Sequence, residues 1–168
     1  MKTKVSFAAL ALAAGLNIAA MGIMTPVKAA STTVDLYPHG PWKSFVGKIA
    51  GSYACGIRTE MKDGGGLAIV ATASGIDFVA FDPRWRLDLG HSYALAIEVP
   101  GETYRGAVVA VDRDTVVGKG LSLDLIERLY DEDVAMVRFG NFSWRLDLHG
   151  TSETIEEMAA CARAVASR

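Results

Sequence analysis

Residues 52–72, SYACGIRTEMKDGGGLAIVAT, place two apolar runs on either side of a glycine cluster. In Ser52–Glu60, Tyr53, Cys55 and Ile57 alternate with smaller or polar neighbours, the period of a strand with one buried face. Asp63-Gly64-Gly65-Gly66 then reverses the chain, because glycine accepts the positive φ that a tight hairpin demands. Leu67 to Thr72 returns as a nearly continuous apolar run, expected of a strand covered on both faces. This is the pattern of an antiparallel hairpin.

Downstream the same rhythm repeats. Gly75–Phe81 reads as a strand stopped by Asp82-Pro83, Tyr93–Val99 and Tyr104–Val111 flank Pro100-Gly101-Glu102, and Val134–Phe139 and Ser143–Leu148 flank Gly140-Asn141. Turn residues about every eight to twelve positions suit a sandwich or barrel better than alternating strand-helix units. Two segments break the pattern. Leu123–Tyr130 carries Leu125, Ile126 and Leu129 on one side, with Ser122 as N-cap and Leu121 placed to staple onto Ile126. Ser152–Ala166 carries Ile155, Met158, Ala159, Ala162 and Val165 at helical spacing, with Thr151 or Ser152 as cap. Its acids Glu153, Glu156 and Glu157 lie toward the positive end and Arg163 and Arg168 toward the negative end. The expected fold is mainly β: an antiparallel two-layer β-sandwich with a short internal helix and a C-terminal helix.

The chain begins with Lys2 and Lys4, followed by an alanine- and leucine-rich stretch from Val5 to Ile23, Pro26, and small residues around Val27-Lys28-Ala29. That order predicts a secretory signal peptide over residues 1–30. The apolar stretch is close to the roughly 20 residues that span a bilayer, so a retained anchor is the alternative. Its alanine content, Gly15 and Asn17 favour removal, which leaves no membrane span. Residues 31–41 mix Thr, Pro and Gly and read as a mobile leader, and 42–168 as one domain. Export implies an oxidising compartment, where two cysteines, Cys55 and Cys161, are expected to pair. Such a bond would tether the last helix to the first strand; chain entropy assigns a loop near 100 residues about 4.7 kcal/mol. Two unpaired cysteines acting as small hydrophobes are the alternative.

Charge narrows the function classes. The chain has 17 Lys and Arg against 19 Asp and Glu; without Lys2, Lys4 and Lys28 it has 14 against 19, a formal −5. An acidic domain without a basic stripe argues against nucleic-acid binding. No serine sits in a Gly-x-Ser-x-Gly elbow, and the glycines at 64–66 precede no Gly-Lys-Ser/Thr phosphate loop. Asp112, Asp114 and Glu98 could be drawn as paired carboxylates, yet the same residues describe a solvated hairpin edge. His91 and His149 each adjoin a glycine and read as turn positions; a metal site from them lacks ligand spacing, and no cofactor is expected. Trp85-Arg-Leu-Asp-Leu89 recurs as Trp144-Arg-Leu-Asp-Leu148. Each copy reads as a half-buried strand, with Arg86, Asp88, Arg145 and Asp147 outward for cross-strand ion pairs.

The order from 121 to 165 is an amphipathic helix over Leu121–Tyr130, strands Val134–Phe139 and Ser143–Leu148, Gly150-Thr151-Ser152 and a final helix. It resembles small exported proteins of alphaproteobacteria, among them the invasion-associated locus B group. The resemblance implies a non-enzymatic β-sandwich at the cell envelope and supplies no catalytic residues. Three functional expectations follow. The first is a periplasmic or secreted binding or structural domain, its partner another envelope protein or a small ligand. Its candidate surface comprises Asp63, Gly64, Gly65, Gly66, His91 and His149. The second is a periplasmic inhibitor of a lysozyme-type enzyme, inserting the Asp63–Gly66 hairpin into the target. The third is a cryptic hydrolase using His91 or His149.

Overall fold

A computed structural model describes residues 32–49 and 52–166; the expected signal peptide lies outside them. The strands are β1 (Thr32–His39), β2 (Trp42–Ile49), β3 (Ser52–Glu60), β4 (Gly66–Thr72), β5 (Gly75–Phe81), β6 (Ser92–Val99), β7 (Glu102–Asp112), β8 (Thr115–Gly118), β9 (Val134–Phe139) and β10 (Phe142–Asp147). Helix α1 (Leu123–Asp131) follows β8, and α2 (Thr151–Ala166) follows β10. The strands form one antiparallel ladder in the order β1-β2-β3-β4-β5-β8-β7-β6-β9-β10. The fold is mainly β, with the two helices and the hairpins placed as their sequence patterns predict.

Alternation separates the two faces. Trp42, Ile57, Leu67, Ile69 and Phe78 of β2–β5 line the same tight apolar void as Ile97, Val137 and Leu146 of β6, β9 and β10. The long ladder therefore bends until its halves face each other, giving a sandwich-like pair of layers that belong to one sheet. Trp42 Nε1 donates to the Asp147 carbonyl at 2.7 Å and ties the halves together. A second, smaller apolar cluster of Phe45, Ala54 and Val70 lies on the opposite face of β2–β4. There the Phe45 ring lies over Gly56, where an added Cβ would stand 2.4 Å from a ring carbon. Phe81 covers Gly66 in the same way, at 2.7 Å. A glycine opposite an aromatic ring lets the ring lie flat across the neighbouring strand.

Helix α2 packs against β3 and β2, with Ile155 and Met158 buried in the main core. Cys55 of β3 and Cys161 of α2 form a disulfide with Cα atoms 5.9 Å apart, within the ordinary range. Helix α1 begins at the expected cap: Ser122 Oγ accepts from the Leu125 N–H. Thr151 does not cap α2 by accepting. Its buried hydroxyl shares its one hydrogen between the Leu148 and Leu129 carbonyls, at 2.7 and 2.9 Å, fastening the helix start to the residue after β10 and to α1.

Three expectations need correction. Residues 31–41, expected as a mobile leader, contain β1, paired with β2 from Thr32 opposite Lys48 to His39 opposite Trp42. Pro38 sits at the end of a register shift on an edge strand, where a missing N–H is tolerated. Trp85–Leu89, expected as a strand, lies outside the sheet: residues 85–88 have no regular structure and Leu89 is in a turn. Trp85 and Leu87 are buried as the alternation requires, while Leu89 is 73% exposed. The segment passes the β7–β8 turn with the Leu87 N–H on the Arg113 carbonyl, beside a turn rather than a strand. Only the second copy is in the sheet, as β10. The two copies meet through their rings: Trp85 and Trp144 stack at 5.2 Å, with Phe139 and Phe142 against them. Arg86 donates to the Pro83 and Trp85 carbonyls rather than pairing with an acid of the other copy.

Candidate functional site

The β3–β4 hairpin closes through Met61 N–H to Gly65 O at 2.8 Å and Gly64 N–H to Met61 O at 3.0 Å, with Gly64 at φ +86°. Asp63 and Gly64 stand at the exposed tip, whereas Gly65 and Gly66 are buried against Asp82 and Phe81. Arg84 braces the tip. Its Nη2 reaches Asp63 Oδ2 at 2.5 Å and Asp82 Oδ2 at 2.6 Å, and its Nε reaches Asp82 Oδ1 at 2.9 Å. The side-chain bond from Arg84 holds the buried Asp82 carboxyl below its ordinary pKa, against the upward push of burial.

His91 packs edge-on against Tyr93 at 4.6 Å, next to the aromatic cluster. His149 lies instead at the β10–α2 junction, beside Gly40, with its N–H on Asp147 Oδ1. Their contacts share no residue, and neither is joined to the Asp63 tip. No group of three His, Cys, Asp or Glu among the described residues could hold a metal ion.

A cluster that the sequence reading did not single out lies under α2. Glu157 Oε1 meets His39 Nε2 at 3.0 Å, and Glu157 Oε2 accepts from the Ser44 hydroxyl. Burial raises the Glu157 carboxyl, but the bonds from Ser44 and His39 outweigh it and the net shift is downward. Glu153, one turn earlier, is also lowered, first by its own backbone N–H, then by Ser152. The residue types are those of a serine hydrolase, but the geometry is not. The carboxylate lies between serine and histidine, so the imidazole has no contact with the hydroxyl it would have to deprotonate. Ser44 is 1% exposed, and no substrate reaches it. The three residues clamp β1 and β2 to α2. The signal was a serine at an inward position between Trp42 and Val46, since a buried hydroxyl requires a partner.

A cleft opens where β6, β7 and β8 meet the segment leading into α1, with a volume of about 160 Å³. Leu95, Ile97, Leu121 and Leu125 form apolar walls, and Gly106 and Gly118 contribute side-chain-free floor. A Cβ built on Gly106 meets nothing within 4 Å. Tyr104 and Lys119 stand at the cleft, and Lys119 Nζ is bonded to Asp77 at 2.6 Å. Burial is the first cause raising the Tyr104 hydroxyl pKa, with Glu102 adding to it. In the sequence, Gly118-Lys119-Gly120 is the local feature that coincides with this cleft. No family model, curated protein or solved structure matches the chain.

Proposed function

We propose that this chain is an exported, non-catalytic binding or structural protein of the cell envelope, acting in the periplasm or outside the cell, with a small ligand or another envelope protein as partner. One observation carries the reading. The cleft between β7, β8 and α1 has apolar walls and a glycine floor, and Lys119 beside it is already paired with Asp77. That is a shape for holding a molecule rather than transforming it. The disulfide supports an oxidising compartment. Among the described residues no helix is long and apolar enough to cross a membrane. The reading agrees with the resemblance to the invasion-associated locus B group.

The test is a pull-down from native envelope with tagged protein, run beside a Gly106→Leu variant. A Cβ built on Gly106 meets nothing within 4 Å, so the variant is expected to keep its fold, checked by its circular dichroism, while its side chain occupies cleft space. Loss of a specific partner in the variant supports the reading, and turnover of any envelope substrate by the wild type overturns it.

An inhibitor of a lysozyme-type enzyme is the second reading, favoured by the braced hairpin tip. An exposed Asp63 held by Arg84 is pre-organised, which lowers the ordering cost of inserting a loop into a target. Lysozyme inhibition that survives replacement of Lys62–Gly65 by a two-residue turn excludes the tip. No inhibition by the wild type excludes the reading.

A further inference from the structure

Strand β7 is 11 residues long, but its ladder with β8 covers only one end of it. That pairing runs from Asp112 opposite Thr115 to Val109 opposite Val117 and goes no further, because β8 ends at Gly118. The chain then stays with β5, the Leu121 N–H on the Ile76 carbonyl at 2.8 Å, and parts from β7. On its other edge β7 remains paired with β6 all the way from Val109 to Glu102. The backbone groups of a strand turn alternately to its two edges. Ala110 bonds the segment leading into β6, its N–H on the His91 carbonyl and its carbonyl on the Gly90 N–H. Val108, Gly106 and Tyr104 therefore bond toward β6, and the N–H and C=O groups of Ala107 and Arg105 turn to the edge that β8 has left. Both residues are exposed, and both line the cleft described above.

A run of unpaired ladder groups is a template for one more strand. The facing of the side chains decides what that strand carries. Directly opposite residues of an antiparallel pair share a face, so Gly106 lies with the buried Leu95 over the cleft and Arg105 lies with Ala96 on the outer face. Leu121 and Leu125 wall the cleft beside Gly106. Arg105 has no ion-pair partner among the described residues. Arg138, opposite Ala96 on the same face, is held by Glu98 at 3.3 Å, and Lys119 by Asp77 at 2.6 Å. We propose that β7 takes an extended segment of a partner polypeptide as an added antiparallel strand in line with β8, with an acidic side chain opposite Arg105 and an apolar one on either side of it turned into the cleft. The inference rests on the binding reading above and makes the occupant of that cleft a peptide.

The experiment combines amide exchange with an NMR titration of the disulfide-intact protein, using the capped peptide Thr-Val-Glu-Val-Thr and its Lys-centred counterpart. In the free protein the Arg105 and Ala107 N–H groups should exchange fast, and those of Gly106 and Val108 slowly. The Glu peptide is expected to shift and protect Arg105 and Ala107 saturably. Arg105→Glu changes an exposed side chain, and should weaken the Glu peptide about 3- to 10-fold while reversing the preference toward the Lys peptide. Ala107→Pro removes an edge N–H and no bond to β6, and Gly106→Leu takes up cleft space; each should weaken binding at least as much. Slow exchange of Arg105 and Ala107 in the free protein overturns the proposal, as does the lack of a saturable shift at the peptide's solubility limit. So do equal affinities for the two peptides, shifts centred on the free edge of β1, or unchanged affinity in a folded Ala107→Pro or Gly106→Leu variant. The same protection on raising protein concentration alone also overturns it, making a second copy the occupant. A silent titration beside an envelope partner that Gly106→Leu loses rejects the added strand and leaves the binding reading standing.

Discussion

At Gly56 a single hydrogen separates a close contact from a clash. An added methyl would stand 2.4 Å from the Phe45 ring and 2.7 Å from the Ile69 carbonyl, and the latter is backbone that cannot turn aside. Gly56→Ala should therefore cost about 1–3 kcal/mol by overpacking, read as a lower urea midpoint. Asp82 and Glu157 have pKa values lowered by their hydrogen-bond partners. A carboxyl that titrates lower when folded contributes stability above its unfolded pKa, near 4, and loses it as pH falls through the folded value. Urea midpoints are thus expected to be insensitive to these two groups above about pH 5 and to fall below about pH 4. Asp82→Asn should flatten part of that acid limb; a limb as steep as wild type would remove Asp82 from the account. Residues also show where reading alone stops. Trp85–Leu89 and Trp144–Leu148 are identical, and alternation finds the buried Trp85, Leu87, Leu146 and Leu148 but not the exposed Leu89. It cannot say which copy has a neighbour to bond, and that depends on chain far away in sequence.

Among the elements, α2 was the most legible, because Ile155 and Met158 lie on the predicted stripe and both are buried. Its attachment is covalent as well as apolar. Replacing both Cys55 and Cys161 by alanine should cost about 2–5 kcal/mol, seen as a lower melting temperature that reducing agent no longer changes. Helix α1 is short, and its Ser122 cap supplies an acceptor for an otherwise unpaired N–H. Ser122→Ala should cost about 1 kcal/mol, measured by urea unfolding, and Ser122→Asp should restore most of it. Strand β1 was missed for a physical reason. It is an edge strand whose Val34, Leu36 and Tyr37 are 60%, 40% and 68% exposed, so it lacks the buried alternation that identifies interior strands. Most of its hold on the domain comes from ladder bonds to β2, the Asp35–Arg58 pair and the His39–Glu157 clamp, none of which is a hydrophobic pattern.

For the molecule as a whole, the sandwich-like arrangement was readable from strand rhythm, but the continuity of the ladder was not. Hairpin signals report which consecutive strands pair; β5 with β8 and β6 with β9 are non-consecutive pairings with no local signature. The same reason hid the candidate site. The cleft assembles Leu95, Gly106, Gly118 and Leu125 from four segments, while the residues first suspected, His91, His149 and the Asp63 tip, lie apart. With every described strand in one ladder and most of the buried apolar residues in one main core, unfolding should be a single transition. Tryptophan fluorescence, which follows the stacked Trp85 and Trp144, and far-UV circular dichroism should give coincident urea curves. Separate midpoints would show that the halves unfold independently.

The bond between β3 and α2 also sets an order of events during synthesis. Cys55 leaves the ribosome 106 positions ahead of Cys161, so β3 carries an unpaired thiol for most of translation. The covalent step can come only after nearly the whole ladder has emerged, which makes it a seal on a finished sheet rather than a seed for it. An oxidant acting too early would join Cys55 to another molecule's sulfur and leave the last helix without its anchor.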